Sequence, residues 1–251
     1  MSSFLILAFL FSAGSLAGWG LEVLFRRFFS AKRWINPGFL AGPCLPLYGF
    51  SLCLLYLMAG LESLLPIETD WLRKGLLFVI MSLCITAAEY IAGLIFIKHM
   101  NIKLWDYSKE WGNINGIVCP LFSFFWAVLG AVYYFGIHPR ILDALRWLAD
   151  NLAFSFCIGF FYGIFVIDFV YSANLAAKIR CFAEEKNIVM KYEEFKEHIR
   201  DFKRERHEKA QFFMSMHSSA PVSRHLKEYY EKHRDEYERI AEKLKKKMRR
   251  G

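Results

Sequence analysis

Gly75-Leu-Leu-Phe-Val-Ile-Met-Ser-Leu-Cys-Ile-Thr-Ala-Ala-Glu-Tyr-Ile-Ala-Gly-Leu-Ile-Phe-Ile97 decides the fold. The run has the length of roughly 20 apolar residues that a helix needs to cross a hydrocarbon core. Its one ionisable residue, Glu89, costs several kcal/mol at that depth unless it faces protein or water. Four similar segments lie at about 4–25, 43–62, 117–136 and 151–172. Composition agrees: 55% of the 251 residues are apolar and 18% aromatic, which excludes a disordered chain and leaves a small polytopic membrane protein with a polar tail. The expected fold is all-α: a transmembrane bundle of about five spans over 1–172 and a basic cytoplasmic helical tail over 173–251.

The first segment follows only Met1, Ser2 and Ser3. Without a positive n-region or a clear small-residue cleavage site, it reads as a retained helix rather than a signal peptide. Orientation follows from the loops. Arg26, Arg27, Lys32 and Arg33 crowd the first loop, and Lys98, Lys103 and Lys109 outnumber Asp106 and Glu110 in the third. Acidic and basic residues are more nearly balanced in the second loop and in the fourth, around 137–150. The positive-inside rule then places the N-terminus outside and the tail in the cytoplasm of a multi-pass cell-membrane protein. The tail holds 21 Lys and Arg against 14 Asp and Glu, most of the net charge of +8. Placed directly after the last span, that surplus reads as an orientation signal and a lipid contact, not a nucleic-acid site.

Two more carboxylates, Glu22 and Asp168, sit within apolar segments. Gly14, Gly18 and Glu22 recur every four residues and share one helical face, where small residues permit close helix approach. Ser82, Thr86, Glu89 and Gly93 form a second polar stripe, and Asp168 stands one turn before Ser172. All three acids fall in the cytoplasmic half of their spans. Two readings stay open at this point: hydrogen-bonded packing groups between helices, or a shared polar vestibule open to the cytoplasm.

The first loop enters the second segment as Asn36-Pro-Gly-Phe-Leu-Ala-Gly-Pro-Cys-Leu-Pro-Leu-Tyr-Gly49. Three prolines and three glycines preclude a regular helix, and irregular backbone at membrane depth is tolerated only inside protein or against a cavity. A re-entrant or kinked entry is expected, with an interfacial loop as the alternative; Asn36 and Tyr48 at its ends join the candidate substrate or ion path. In the third loop, Trp105, Asp106, Tyr107 and Ser108 are followed by Trp111, Asn113 and Asn115. The aromatics suit the headgroup level. Asn115 suits a helix cap, and the group equally suits recognition of a polar substrate at the vestibule mouth.

These motifs resemble the CmpB family of small bacterial membrane proteins, labelled ABC-transporter permeases. The resemblance is carried by Gly18-Trp19-x-x-Glu22, Gly38-Phe39-Leu40-x-Gly42-Pro43-x-x-Pro46-x-Tyr48-Gly49, Glu89-Tyr90-x-x-Gly93, Trp105-Asp106-Tyr107-Ser108 and Asn113-x-Asn115-Gly116. It covers about residues 1–172. Pro37 and Ile117 depart from the family pattern by removing a positive charge, so no anion or phosphate site is carried over.

In the tail, Ile188, Tyr192, Phe195, Ile199 and Phe202 form one amphipathic stripe; Leu226, Tyr230, His233, Tyr237, Ile240, Leu244 and Met248 form another beyond the breaker Ser218–Ser223. A helical hairpin or a coiled coil with a partner is expected. The basic end, Lys243 to Arg250, suits anionic lipid. The six cysteines are scattered singly, and His198, His207, His217, His225 and His233 show no ligand spacing, so neither metal nor cofactor is expected.

No phosphate-binding Gly-Lys-Ser/Thr loop and no hydrolase motif occurs. The chain is therefore more simply a non-enzyme. The leading expectation is a transporter permease subunit partnered by lipids, a separate ATP-binding cassette subunit and a second copy of itself. The alternatives are an accessory or scaffolding protein recruiting a partner through its tail, and a membrane enzyme using Asp106 with Glu89 or Glu22 on a lipid.

Overall fold

A computed structural model describes residues 2–30, 32, 34–62, 65–205 and 221–248, the side chains of 30, 202–205 and 239–248 aside. All five apolar segments are helical. Helix α1 (Ser3–Phe25) begins where the Ser2 hydroxyl accepts the Leu5 N–H, satisfying one of the orphan donors of the first turn. α2 (Pro46–Gly60) and α4 (Pro120–Val132) each open with proline, whose missing N–H costs nothing in a first turn. α3 (Asp70–Met100) ends at Asn101 and α6 (Ser155–Lys186) at Asn187, both left-handed, a conformation asparagine tolerates better than most residues.

Four helical stretches are long and apolar enough to cross a membrane: Ser3–Phe29, Asp70–Met100, Pro120–Asp150 and Leu152–Lys186. The second expected span is shorter. At 15 residues α2 rises only about 22 Å, short of a hydrocarbon core of about 30 Å. Irregular chain precedes it. The Leu45 N–H donates to the Ser15 carbonyl, half-way along α1, so residues 34–45 descend beside α1 before α2 begins.

Small residues close the α1–α2 seam. Gly14 lies against Leu52 and the Tyr48 carbonyl, and the Tyr48 ring occupies the space where Gly18 would carry a Cβ. The balanced segment 137–150, expected as a loop, is instead α5 (His138–Asp150), continuing from α4 through the wide turn Tyr133–Ile137. Pro139 falls in its first turn, and Leu145 and Leu148 bury on one face, which outweighs the polar composition.

At one end of the bundle, α6 runs beyond its apolar stretch and meets the tail. Strand β1 (Ile102–Lys103) pairs in parallel with β2 (Met190–Lys191), tying the end of α3 to the tail. Helices α7 (Tyr192–Glu205) and α8 (Val222–Met248) follow. Tyr192, Phe195, Ile199, Leu226 and Tyr229 are buried with Leu175, Ile179 and Phe182 of α6 and with Phe39 and Leu40 of the loop. Of the described stripe residues, Tyr192, Phe195, Ile199 and Leu226 are thus buried against their own chain, while Ile188, Tyr230 and Tyr237 are partly covered. Residues 206–220, with His207, His217 and the first half of the expected breaker, lie outside the described residues, as do the side chains of Phe202, Ile240, Leu244, Met248 and the basic end.

Candidate functional site

The irregular entry to α2 is held by side chains at six of its backbone polar atoms, two N–H groups and four carbonyls. Asp168 Oδ1 accepts the Ala41 N–H at 3.0 Å, and Oδ2 accepts the Gly42 N–H at 2.9 Å. The Ser172 hydroxyl shares the Ala41 N–H at 3.2 Å and donates to Asp168 at 3.3 Å. From the other side, Lys196 Nζ donates to the carbonyls of Gly38 (2.5 Å) and Asn36 (3.3 Å), while the Tyr192 hydroxyl donates to Phe39 (3.0 Å). The Asn36 amide donates to Ala41 O at 2.6 Å and accepts the Trp19 indole N–H at 2.7 Å. A buried backbone group left without a partner costs roughly 1–3 kcal/mol. This set of bonds is what lets a proline- and glycine-rich segment lie beside α1.

Burial lowers the Lys196 pKa to about 8, against the pull of Glu193 in the opposite direction. Its ammonium also stands 4.9 Å from the Tyr192 ring centroid. Burial raises the Glu193 carboxyl, although Arg26 opposes it.

A second cluster forms where α1, α2, α3 and the 101–119 loop meet. Glu22 accepts the Tyr48 hydroxyl at 3.0 Å and the Arg26 Nε–H at 2.9 Å. Arg26 also donates to Glu193 of the tail at 2.6 Å. Glu89, 2% exposed, accepts the Tyr107 hydroxyl at 3.4 Å through Oε1. Its Oε2 is buried without a hydrogen bond of good geometry, and the Trp126 indole N–H is the donor placed beside the carboxylate. The two halves adjoin through Trp126: the Tyr48 ring packs on it at 4.8 Å, and its indole lies beside Glu89. Tyr107 stacks on Phe122 at 4.2 Å. Burial first, and the Glu89 charge second, hold its phenol far above the usual range, so it remains a donor.

Four expected site residues, Glu22, Tyr48, Glu89 and Tyr107, therefore come together. Asp168 and Asn36 belong to the loop anchor instead. Asp106 is turned to its own loop, accepting Lys103 Nζ at 2.6 Å, the Ser108 N–H at 3.1 Å and the Ser108 hydroxyl. Burial works against its charge, but the lysine and serine outweigh it and hold its pKa low. Trp105 donates to Ile117 O at 2.8 Å, fixing the same loop. Asn115 does not cap α4, whose N-cap is Cys119; it takes a left-handed turn and donates to the Tyr90 hydroxyl at 2.9 Å. Sequence reasoning missed Arg26, Tyr192, Glu193, Lys196 and Trp126. Arg26, one turn after Glu22, carried a visible signal as an i, i+4 pair.

A bundle of apolar helices with an irregular entry to one of them, and with one buried and one partly buried acid bonded to two tyrosines beside it, is a class of protein rather than an identity. The family follows from comparison. Residues 9–173 match the CmpB family, described as "Putative ABC-transporter type IV", and the chain belongs to it. No curated protein and no solved structure matches the chain.

Proposed function

We propose that the protein is the permease subunit of a transporter, with the Glu22–Tyr48–Tyr107–Glu89 cluster as its polar substrate or ion site. The observation that carries this reading is Glu89. It is an acid inside a candidate membrane helix, nearly fully buried, with one carboxylate oxygen bonded to a tyrosine and the other without a well-formed bond. A purely structural acid is expected to be satisfied on both oxygens, as Asp168 is; intramembrane acids held less completely mark substrate and proton paths. Transporters build such sites where helices are interrupted, which is the arrangement of residues 34–45.

The end of the bundle that carries Arg26, Arg27, Lys98, Lys103 and the tail faces the cytoplasm in this reading, in keeping with the positive-inside rule. An ATP-binding cassette subunit supplies the hydrolysis that no motif in this chain supports, in line with the family's description. The test is purification of the tagged chain from native membranes with its ATPase, followed by turnover in proteoliposomes. Glu89→Gln changes ATP turnover severalfold while Asp106→Asn, outside the cluster, leaves it near wild type. An intact complex whose turnover is indifferent to Glu89→Gln and Tyr107→Phe overturns the assignment.

A further inference from the structure

We propose that the tail binds a transition-metal dication of the Zn2+ class, held by His198 of α7 with His225 and Glu228 of α8. One ligand atom from each of the three lies within 4.8 Å of the others. Spacing in the sequence conceals the group, because His198 is on a different helix. His225 and Glu228 are three apart on α8 and share a face.

The geometry suits an ion. His198 Nε2 is buried, makes no hydrogen bond among the described residues, and stands 4.0 Å from Glu228 Oε2. The two imidazole rings are 6.0 Å apart at their centroids and nearly perpendicular. Zinc bonds of about 2.0–2.2 Å at tetrahedral angles place ligand atoms roughly 3.3 Å apart, so side-chain shifts of about 1 Å close the site. Arg224 occupies the other carboxylate oxygen at 2.8 Å, which orients Glu228 without consuming Oε2. Two imidazoles and a carboxylate are borderline ligands that select Zn2+ and its neighbours over Ca2+ or Mg2+, and three protein ligands leave a fourth position for water.

An ion here ties α8 to α7, the helix whose Tyr192 and Lys196 hold the irregular loop.

The experiment uses the full-length protein in detergent, freed of any polyhistidine tag and stripped with chelator, and titrated with Zn2+ against a chromophoric competitor and with Co2+ by visible spectroscopy. One ion per chain and the d–d absorption of low-coordinate Co2+ are expected. Losing even a residue that only orients a ligand costs roughly 10–100-fold in affinity, so His198→Gln and Glu228→Gln each weaken binding by at least about tenfold. Both variants keep the wild-type melting profile without metal, which separates ligation from folding; fully buried His225 is not the test position. His99→Gln, on α3 outside the group, leaves the affinity unchanged. Equal Zn2+ affinity in wild type, His198→Gln and Glu228→Gln overturns the proposal, as does the absence of a Co2+ spectrum.

Discussion

Asp168 and Lys196 grip one loop by its opposite polarities. The carboxylate takes the N–H groups of Ala41 and Gly42, and the ammonium takes the carbonyls of Asn36 and Gly38. Neither charge is paired with the other by a direct bond; each is neutralised through the peptide dipoles between them. The acid comes from α6 and the base from α7, so the irregular entry to α2 is fastened both to the bundle and to the tail.

Asp168→Asn replaces one acceptor oxygen by an amide that faces the N–H groups as a donor. A buried donor left without a partner costs roughly 1–3 kcal/mol. The expected result is a loosened loop, seen as faster maleimide labelling of Cys44, which is buried beside it, in a variant retaining that cysteine alone. Labelling at the wild-type rate refutes the anchor.

Gly18→Ala places a methyl group in the Tyr48 ring, whereas Gly20 has nothing within 4 Å of its own Cβ position. Overpacking of this kind costs typically about 1–3 kcal/mol. Thermal melts in detergent should show Gly18→Ala clearly destabilised and Gly20→Ala at or above wild type, since alanine is the better helix former. If both substitutions are silent, the α1–α2 seam is wrongly placed.

The Gly14–Gly18–Glu22 seam was legible because residues four apart on a helix share a face whatever the tertiary fold. The same logic placed Glu89 and Gly93 on one buried face, but the rest of that face is Leu77, Met81 and Ile85 and not the expected Ser82 and Thr86. The bonds from Asp168 to Ala41 and Gly42 were not legible, since they join segments more than 120 residues apart and involve backbone atoms that carry no sequence signature. Asp168 and Glu89 look alike as acids in apolar runs; only their partners separate an anchor from a candidate site. Lys196 was hidden for the opposite reason, as one lysine among the many of a basic tail.

Arg26 links Glu22 of the polar cluster to Glu193 of α7 and is a direct ionic contact between bundle and tail. Its side chain and that of Glu193 are 18% and 31% exposed, so the pair is shielded more than a surface bridge. A double-mutant cycle with Arg26→Gln and Glu193→Gln is expected to give a coupling of about 0.5–3 kcal/mol. Strictly additive melts would mean that the contact carries no energy between the two parts.

Lys196 sets a pH dependence whose sign differs from that of an ordinary ion-paired lysine. Its pKa falls from 10.5 unfolded to about 8 folded, chiefly through burial. Between those values the unfolded chain keeps the proton that the folded chain has released. Stability contributed by this residue therefore rises with pH across the window, by about 3 kcal/mol when the whole interval is traversed. Below pH 8 both states are protonated and the contribution is flat. Other lysines and tyrosines titrate in the same range, so the quantity to measure is the difference between wild type and Lys196→Met. The methionine variant is less stable at every pH because it strands the Asn36 and Gly38 carbonyls. Melts at intervals from pH 7.5 to 9.5 should show wild type gaining on the variant as pH rises. A gap that narrows instead would mean that the buried lysine is held as a stabilised cation, and that the carbonyls of the loop outweigh the cost of its burial.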